Sequence, residues 1–276
     1  MSQHLAQFDE NYTEAYIQES AAYATETAVE HTDSGIHVAL APEQIGTFAG
    51  IPITNTLVTS WIVVGVLIVV GYIIGSKVKM VPTRLQTLFE WLFGFVYDYI
   101  SETLESRDLA RRFFPFLVTI FLFIFTANIL EFTPGIGSIG LLRGGEFVPL
   151  LRSVNTDLNV TLALAIISFL VIEVTGVLVI GAWKYAGKFL NFHSVIGFFI
   201  GIIEFFSEIA RLIAFSFRLF GNVFAGEVLI LVAIYFVPYA LPVPLMLFEV
   251  FVGFIQAAIF TMLTLFFIKI AISDAH

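Results

Sequence analysis

The 276-residue chain contains no cysteine and few charged residues, 13% of the total, where soluble domains carry about 25%. The missing thiols exclude cysteine catalysis, disulfide frameworks and Cys-based metal sites. Lys and Arg are absent before position 77, while Asp9, Glu10, Glu14, Glu19, Glu26, Glu30, Asp33 and Glu43 crowd the same stretch. Without a basic leader segment, the N-terminus does not read as a secretory signal. The net charge of −9 lacks the basic footprint of a nucleic-acid binder. Neither His-Glu-x-x-His nor Gly-x-Ser-x-Gly occurs, so two common hydrolase arrangements are missing. No cofactor, metal ligand set or catalytic group is indicated.

What is present is apolar. Hydrophobic side chains make up 58% of the chain, and residues 44–76, 228–248 and 250–268 carry no charge. A membrane span needs about 20 apolar residues, and these runs lack the alternation of barrel strands. The fold class expected is all-α and polytopic: about five membrane segments and one amphipathic surface helix in a lipid bilayer. Residues 1–50 form an acidic polar tail, with a short helix expected near Thr13–Ala28, and residues 51–276 form a single membrane domain. Spans are expected at Leu57–Gly75, Phe113–Glu131 and Leu158–Trp183. A long fourth segment runs from Ser194 to Phe236. A last one follows the Pro238–Pro244 break and continues to Lys269. Between the first two spans, Leu85, Leu88, Phe89, Leu92, Phe95, Val96 and Tyr99 recur at helical spacing among charges, the pattern of a helix lying on the membrane surface. In a five-span arrangement nine Lys and Arg residues fall on one side and only Arg143 and Arg152 on the other. That bias places the C-terminus inside and the acidic tail outside.

Ionisable groups within a span are costly and mark ion paths or relays. The fourth segment carries Glu204, Glu208, Arg211, Arg218 and Glu227. Positions 204, 208, 211, 215, 218, 222 and 225 alternate steps of four and three, which keeps one helical face in view. Small residues on and beside it, including Ala214 and Gly226, allow another helix to approach closely. Arg218 has uncharged neighbours from Leu212 to Gly226 and cannot deprotonate. Pairing with Glu204 or Glu208, both at least ten residues away, would bridge at least about 15 Å along the helix. In the last segment Glu249 and Gln256 are seven residues apart and share a face. They read either as part of a proton relay with Glu227 or as a hydrogen-bonded lock between the last two segments. Glu204, Ser207, Glu208 and Arg211 form an approach from the opposite side. Asn128 and Glu131 lie at the outer end of the second span. Glu173 is mid-span, with no partner assigned.

The run Phe217-Arg218-Leu219-Phe220-Gly221-Asn222-Val223-Phe224-Ala225-Gly226-Glu227 resembles the motif of the membrane-embedded a subunit of F-type ATP synthases. Ile255-Gln256-Ala257-Ala258-Ile259-Phe260, Asn128-Ile129-Leu130-Glu131 and Thr156-Asp157-Leu158-Asn159 resemble further motifs of that family, in order, across roughly residues 50–272. The resemblance implies an ion-translocating stator subunit, itself non-catalytic, in a bacterial inner or organellar membrane. Two proton half-channels serve a c-subunit ring, peripheral-stalk b subunits hold the stator still, and the last two segments are long tilted helices in a hairpin. It assigns proton translocation to Arg218, Asn222, Glu227, Gln256, Asn128 and Glu131. Glu249 stands where some members carry His, which keeps a protonatable group with another titration range. Glu204, Ser207 and Arg211 match the more variable inner half-channel, and Ala214 replaces a Ser of some members. Whether H⁺ or Na⁺ is carried is left open. A proton-coupled secondary transporter is the competing reading, but the internal repeats expected of one are not found. An intramembrane enzyme lacks a motif, and a structural scaffold leaves the charged stripe unexplained.

Overall fold

The structure, a computed structural model, describes residues 41–48, 50–76, 78–133, 136, 139–143, 146–189, 195–238 and 240–273. The helix expected near Thr13–Ala28 lies outside them. Strands β1 (Gln44–Phe48) and β2 (Ile51–Thr54) form an antiparallel hairpin. Residue 50, where the tail was expected to end, lies in its turn as a glycine at φ +81°. Helix α1 (Asn55–Ser76) follows, with the Thr54 hydroxyl accepting from the amide of Leu57. Then come α2 (Arg84–Leu104), α3 (Arg107–Leu130), the hairpin β3 (Gly140–Arg143) and β4 (Glu146–Pro149), α4 (Leu158–Ile180), α5 (Ala182–Phe189), α6 (Val195–Phe236) and α7 (Pro242–Ser273). Five of these, α1, α3, α4, α6 and α7, are long and apolar enough to cross a membrane. The protein is a multi-pass, all-α membrane protein.

Local chemistry sets the boundaries and explains where they depart from those expected. The second crossing helix starts at Arg107 rather than Phe113, because the Ser106 side chain caps it by accepting from the Leu109 amide. The third stops at Ile180 rather than Trp183, because Gly181 adopts φ +91° and a short new helix begins. The last starts at Pro242, ahead of Pro244: a proline in the first turn lacks only an amide that would have had no helical partner. It ends at Ser273 rather than Lys269. The polar loop between α3 and α4 contains the β3–β4 hairpin, which the sequence reading did not anticipate.

Helix α6 has 42 residues and α7 has 32. At 1.5 Å per residue they are about 63 and 48 Å long, against a hydrocarbon layer of about 30 Å, so both fit only at a strong tilt. Amphipathic α2 packs one edge on the bundle, where Tyr97 meets Phe114 edge-on at 5.6 Å and Ile100 and Leu104 join a core with Leu117, Ile172 and Leu265. Leu88, Trp91, Leu92 and Phe95 remain exposed on it. A second core joins α3, α4, α6 and α7 through Ile124, Ala165, Phe215, Leu219, Ala257 and Phe260. Lys269 of α7 pairs with Glu105, at the left-handed C-cap of α2, over 2.7 Å.

Candidate functional site

Polar side chains gather in two places along α6, on either side of Arg218. The first lies where the C-terminus of α3 meets α6 and α7. Asn128 donates from Nδ2 to the Gly253 carbonyl at 3.1 Å, and its Oδ1 accepts from Asn155 Nδ2 at 2.6 Å. Gly253 is required there: a Cβ would come within 2.8 Å of Asn128 Cβ. Glu131 accepts from Ser153 Oγ at 2.9 Å. Burial pushes its carboxyl up to about 8, the charges of Glu227 and Glu249 add to the rise, and the Ser153 hydrogen bond opposes it. Asn222 of α6 donates to Gln256 Oε1 of α7 at 2.7 Å, while Gln256 Nε2 is buried without a partner among the described residues. Gln256 therefore ties the two long helices through Asn222, not through Glu249.

Glu249 reaches across the helix hairpin and lays its carboxyl against the backbone of Gly226, where any Cβ would collide with it. Asn128, Glu131, Asn222, Glu249 and Gln256 all line one small cavity of about 10 Å³, room for about one water. Glu227 follows Gly226 directly, and one of its oxygens is buried without a partner among the described residues. Two carboxyl groups, Glu131 and Glu249, thus meet a cavity rimmed with amides, and Glu227 is close enough to act on Glu131 electrostatically, an arrangement suited to passing a proton or holding a small cation.

The second cluster lies toward the α6 N-terminus. Glu208 and Arg211 form a 2.6 Å ion pair, and the Arg211 guanidinium stacks over Phe267 at 4.0 Å. Glu204 is half-buried and Ser207 exposed. Tyr185 of α5 donates to Glu173 of α4 at 2.7 Å, which supplies the partner missing from the sequence reading.

Arg218 stands between, about 10 Å beyond Arg211 and 6 Å before Asn222 along the axis. Its guanidinium carbon is 5.9 Å from the Phe215 ring centroid, and its Nη1 is buried without a partner among the described residues. The regular stripe is not presented whole. Glu208 and Phe215 turn into the subunit, whereas Ser207, Ala210, Ala214, Asn222 and Ala225 are exposed. The physical reason is that α4 and α7 both pack on α6 and take one margin of the stripe: Thr161 meets Ser216 at 3.2 Å and Phe260 meets Phe215 at 4.9 Å.

Residues 57–269 match the family model described as ATP synthase A chain. The chain belongs to this family. It is 32% identical to "ATP synthase subunit a, sodium ion specific" of Propionigenium modestum, covering 82% of this chain and 77% of that protein. It is 29% identical to "ATP synthase subunit a" of Moorella thermoacetica, covering 82% and 94%, and 29% identical to that of Geotalea daltonii, covering 80% and 89%. As an ATP synthase a subunit it resides in the membrane and assembles with that complex.

Sequence reasoning missed the a subunit's polar belt, where the segment before α4 meets α1 and α3. Thr56 donates to Asp157 at 2.7 Å, the Thr59 hydroxyl accepts from the Arg152 amide at 3.2 Å, and Ser153 and Asn155 hold the second-helix pair. Residues 152–157 are all buried. The available signal was a loop dense in Arg, Ser, Asn, Thr and Asp between two apolar spans, since a polar loop that must be buried needs internal partners.

Proposed function

We propose that this subunit conducts protons between the two sides of the membrane through two half-channels that meet a c-subunit ring, with Arg218 as the charge that keeps them apart. The observation that carries the reading is Arg218 itself: a permanent cation, with an unfilled donor, between a carboxylate-lined cavity and a second ionic cluster. An opposite charge within about 4–6 Å stabilises an ionised carboxylate, so a ring carboxylate passing Arg218 gives up its proton there. The same charge repels a proton attempting to cross directly. One charge crossing about 100 mV releases about 2.3 kcal/mol, all of which is lost to a leak. Exposed Ala214, Gly221 with open space at its Cβ position, and Ala225 support close approach of a ring helix.

In this reading Glu131, Glu249, Glu227, Gln256, Asn222 and Asn128 form the outer half-channel. Glu204, Ser207 and Arg211 line the inner one. The exposed edge of α2 with Trp91 and Phe95 faces lipid or a peripheral-stalk b subunit. The sodium-specific relative favours one second reading, in which the outer cavity passes Na⁺. ATP-driven transport by the reconstituted complex in sodium-free buffer decides between them. Full acidification without sodium supports protons, and strict dependence on sodium supports Na⁺. A Glu249→Leu complex that assembles and transports either ion at the wild-type rate removes Glu249 from the path.

A further inference from the structure

Glu173 is a carboxylate inside the 23-residue apolar helix α4, and neither the resemblance nor the half-channel assignment gives it a task. It lies seven residues from the end of α4 that leads into Trp183 and Lys184, on the same side of Arg218 as Glu208 and Arg211. Its surroundings are built. Tyr185, buried at 6% exposure, folds back from α5 and donates to Glu173 Oε2. Gly176, one turn along α4, clears the space for the tyrosine ring, which any Cβ at that position would strike. Burial and the Glu173 carboxylate hold the Tyr185 hydroxyl well above the ordinary tyrosine range, and Glu208 and Arg211 of α6 both act on it electrostatically. The hydroxyl thus stays protonated as a hydrogen-bond donor. A half-buried carboxylate with a fixed donor, whose donor feels an ion pair on the helix that carries Arg218, is costly in an apolar layer unless it works there.

We propose that Glu173 is a proton-carrying residue of the path on the Lys-rich side of Arg218, held in position by Tyr185 and coupled to α6 through Glu208 and Arg211. The step is a proton transfer alone. One O–H bond forms on the Glu173 carboxylate as a proton arrives from the α6 side, and the same bond breaks as the proton leaves toward the Lys184 end. Tyr185 keeps its own proton throughout. This rests on the half-channel reading above.

The test uses the complete reconstituted complex, with assembly checked in each preparation. Glu173→Gln keeps the shape and an acceptor for Tyr185 but cannot be ionised, so a packing lock survives it while a relay does not. ATP-driven acidification should fall at least about tenfold, and Glu173→Asp should restore part of the rate. Tyr185→Phe keeps the ring over Gly176 and should shift the pH dependence of transport measured from the inner side. Wild-type rate and pH profile in an assembled Glu173→Gln complex overturn the proposal. If that variant does not assemble, the unchanged rate and profile of Tyr185→Phe overturn it instead. Arg218→Ala run in parallel separates the two levels. If it opens a leak while Glu173→Gln is normal, only this inference falls; if it neither leaks nor uncouples, the underlying reading falls.

Discussion

Replacing Gly226 with Ala adds one carbon and two hydrogens, yet the geometry predicts a functional defect far larger than its effect on folding. The new Cβ would approach Glu249 Oε2 to 2.7 Å and its Cδ and Oε1 more closely still, whereas ordinary contact begins at 3.4 Å. The colliding atoms are the far end of a flexible side chain, so they can swing away. The folding cost is therefore small, offset by the roughly 0.5–1 kcal/mol that Ala gains over Gly inside a helix. The functional cost is not small. The carboxyl must leave the cavity it shares with Glu131, Asn222 and Gln256 by about 1 Å or more, and a displacement of that size can reduce a positioned reaction by about a hundredfold. The assay is ATP-driven acidification of vesicles carrying the reconstituted complex, normalised to assembled complex and to ATP hydrolysis. A tenfold to hundredfold loss is expected, with assembly and thermal midpoint unchanged. Transport at the wild-type rate would show that the Glu249 carboxyl need not sit against Gly226.

Gly253→Ala meets Asn128 Cβ, close to the backbone of α3, and should cost about 1–3 kcal/mol by overpacking, read as a lowered thermal midpoint; an unchanged midpoint refutes the tight α3–α7 crossing. Glu131, held at about 8 by burial from an ordinary 4.5, binds more protons folded than unfolded, so stability falls as pH climbs through that window. At about 1.36 kcal/mol per pH unit the effect is of order 5 kcal/mol at most. Glu131→Gln should flatten the loss of stability between pH 5 and 8, and an unaltered slope contradicts the assignment. A single cysteine placed in the acidic tail before Lys77 should react with an impermeant thiol reagent from the outer side; labelling from the inner side alone reverses the topology. Cross-links from the exposed edge of α2 should reach a peripheral-stalk b subunit, whereas lipid quenching on all faces of α2 speaks for a buried span.

The membrane spans were legible because charge-free runs of span length leave few alternatives, and α6 was legible as one long helix because nothing between Val195 and Phe236 breaks it. The helix ends were less so. Ser106 and Gly181 act through a capping bond and a backbone angle, which hydropathy does not register. The stripe on α6 was readable as a periodic pattern but not as an orientation, because which margin is buried depends on where α4 and α7 pack. Glu173 had no partner in the sequence reading, since Tyr185 lies beyond a helix break and returns only through Gly181. The closeness of Glu249 to Gly226 depends on the register of the α6–α7 hairpin. The sequence joined Glu249 to Glu227 only as members of one possible relay, and the structure alone shows the adjacent Gly226 as the seat of the Glu249 carboxyl.

The central claim is that the Arg218 charge separates two ion paths, and passive proton permeability of vesicles carrying the assembled complex tests it most directly. Arg218→Ala should assemble, lose ATP synthesis and raise proton leak. Arg218→Lys keeps the charge but loses the planar, multi-donor head, so it should hold back the leak better than Ala while still failing to support normal synthesis. A fully assembled Arg218→Ala complex that stays tight to protons and makes ATP would contradict the account.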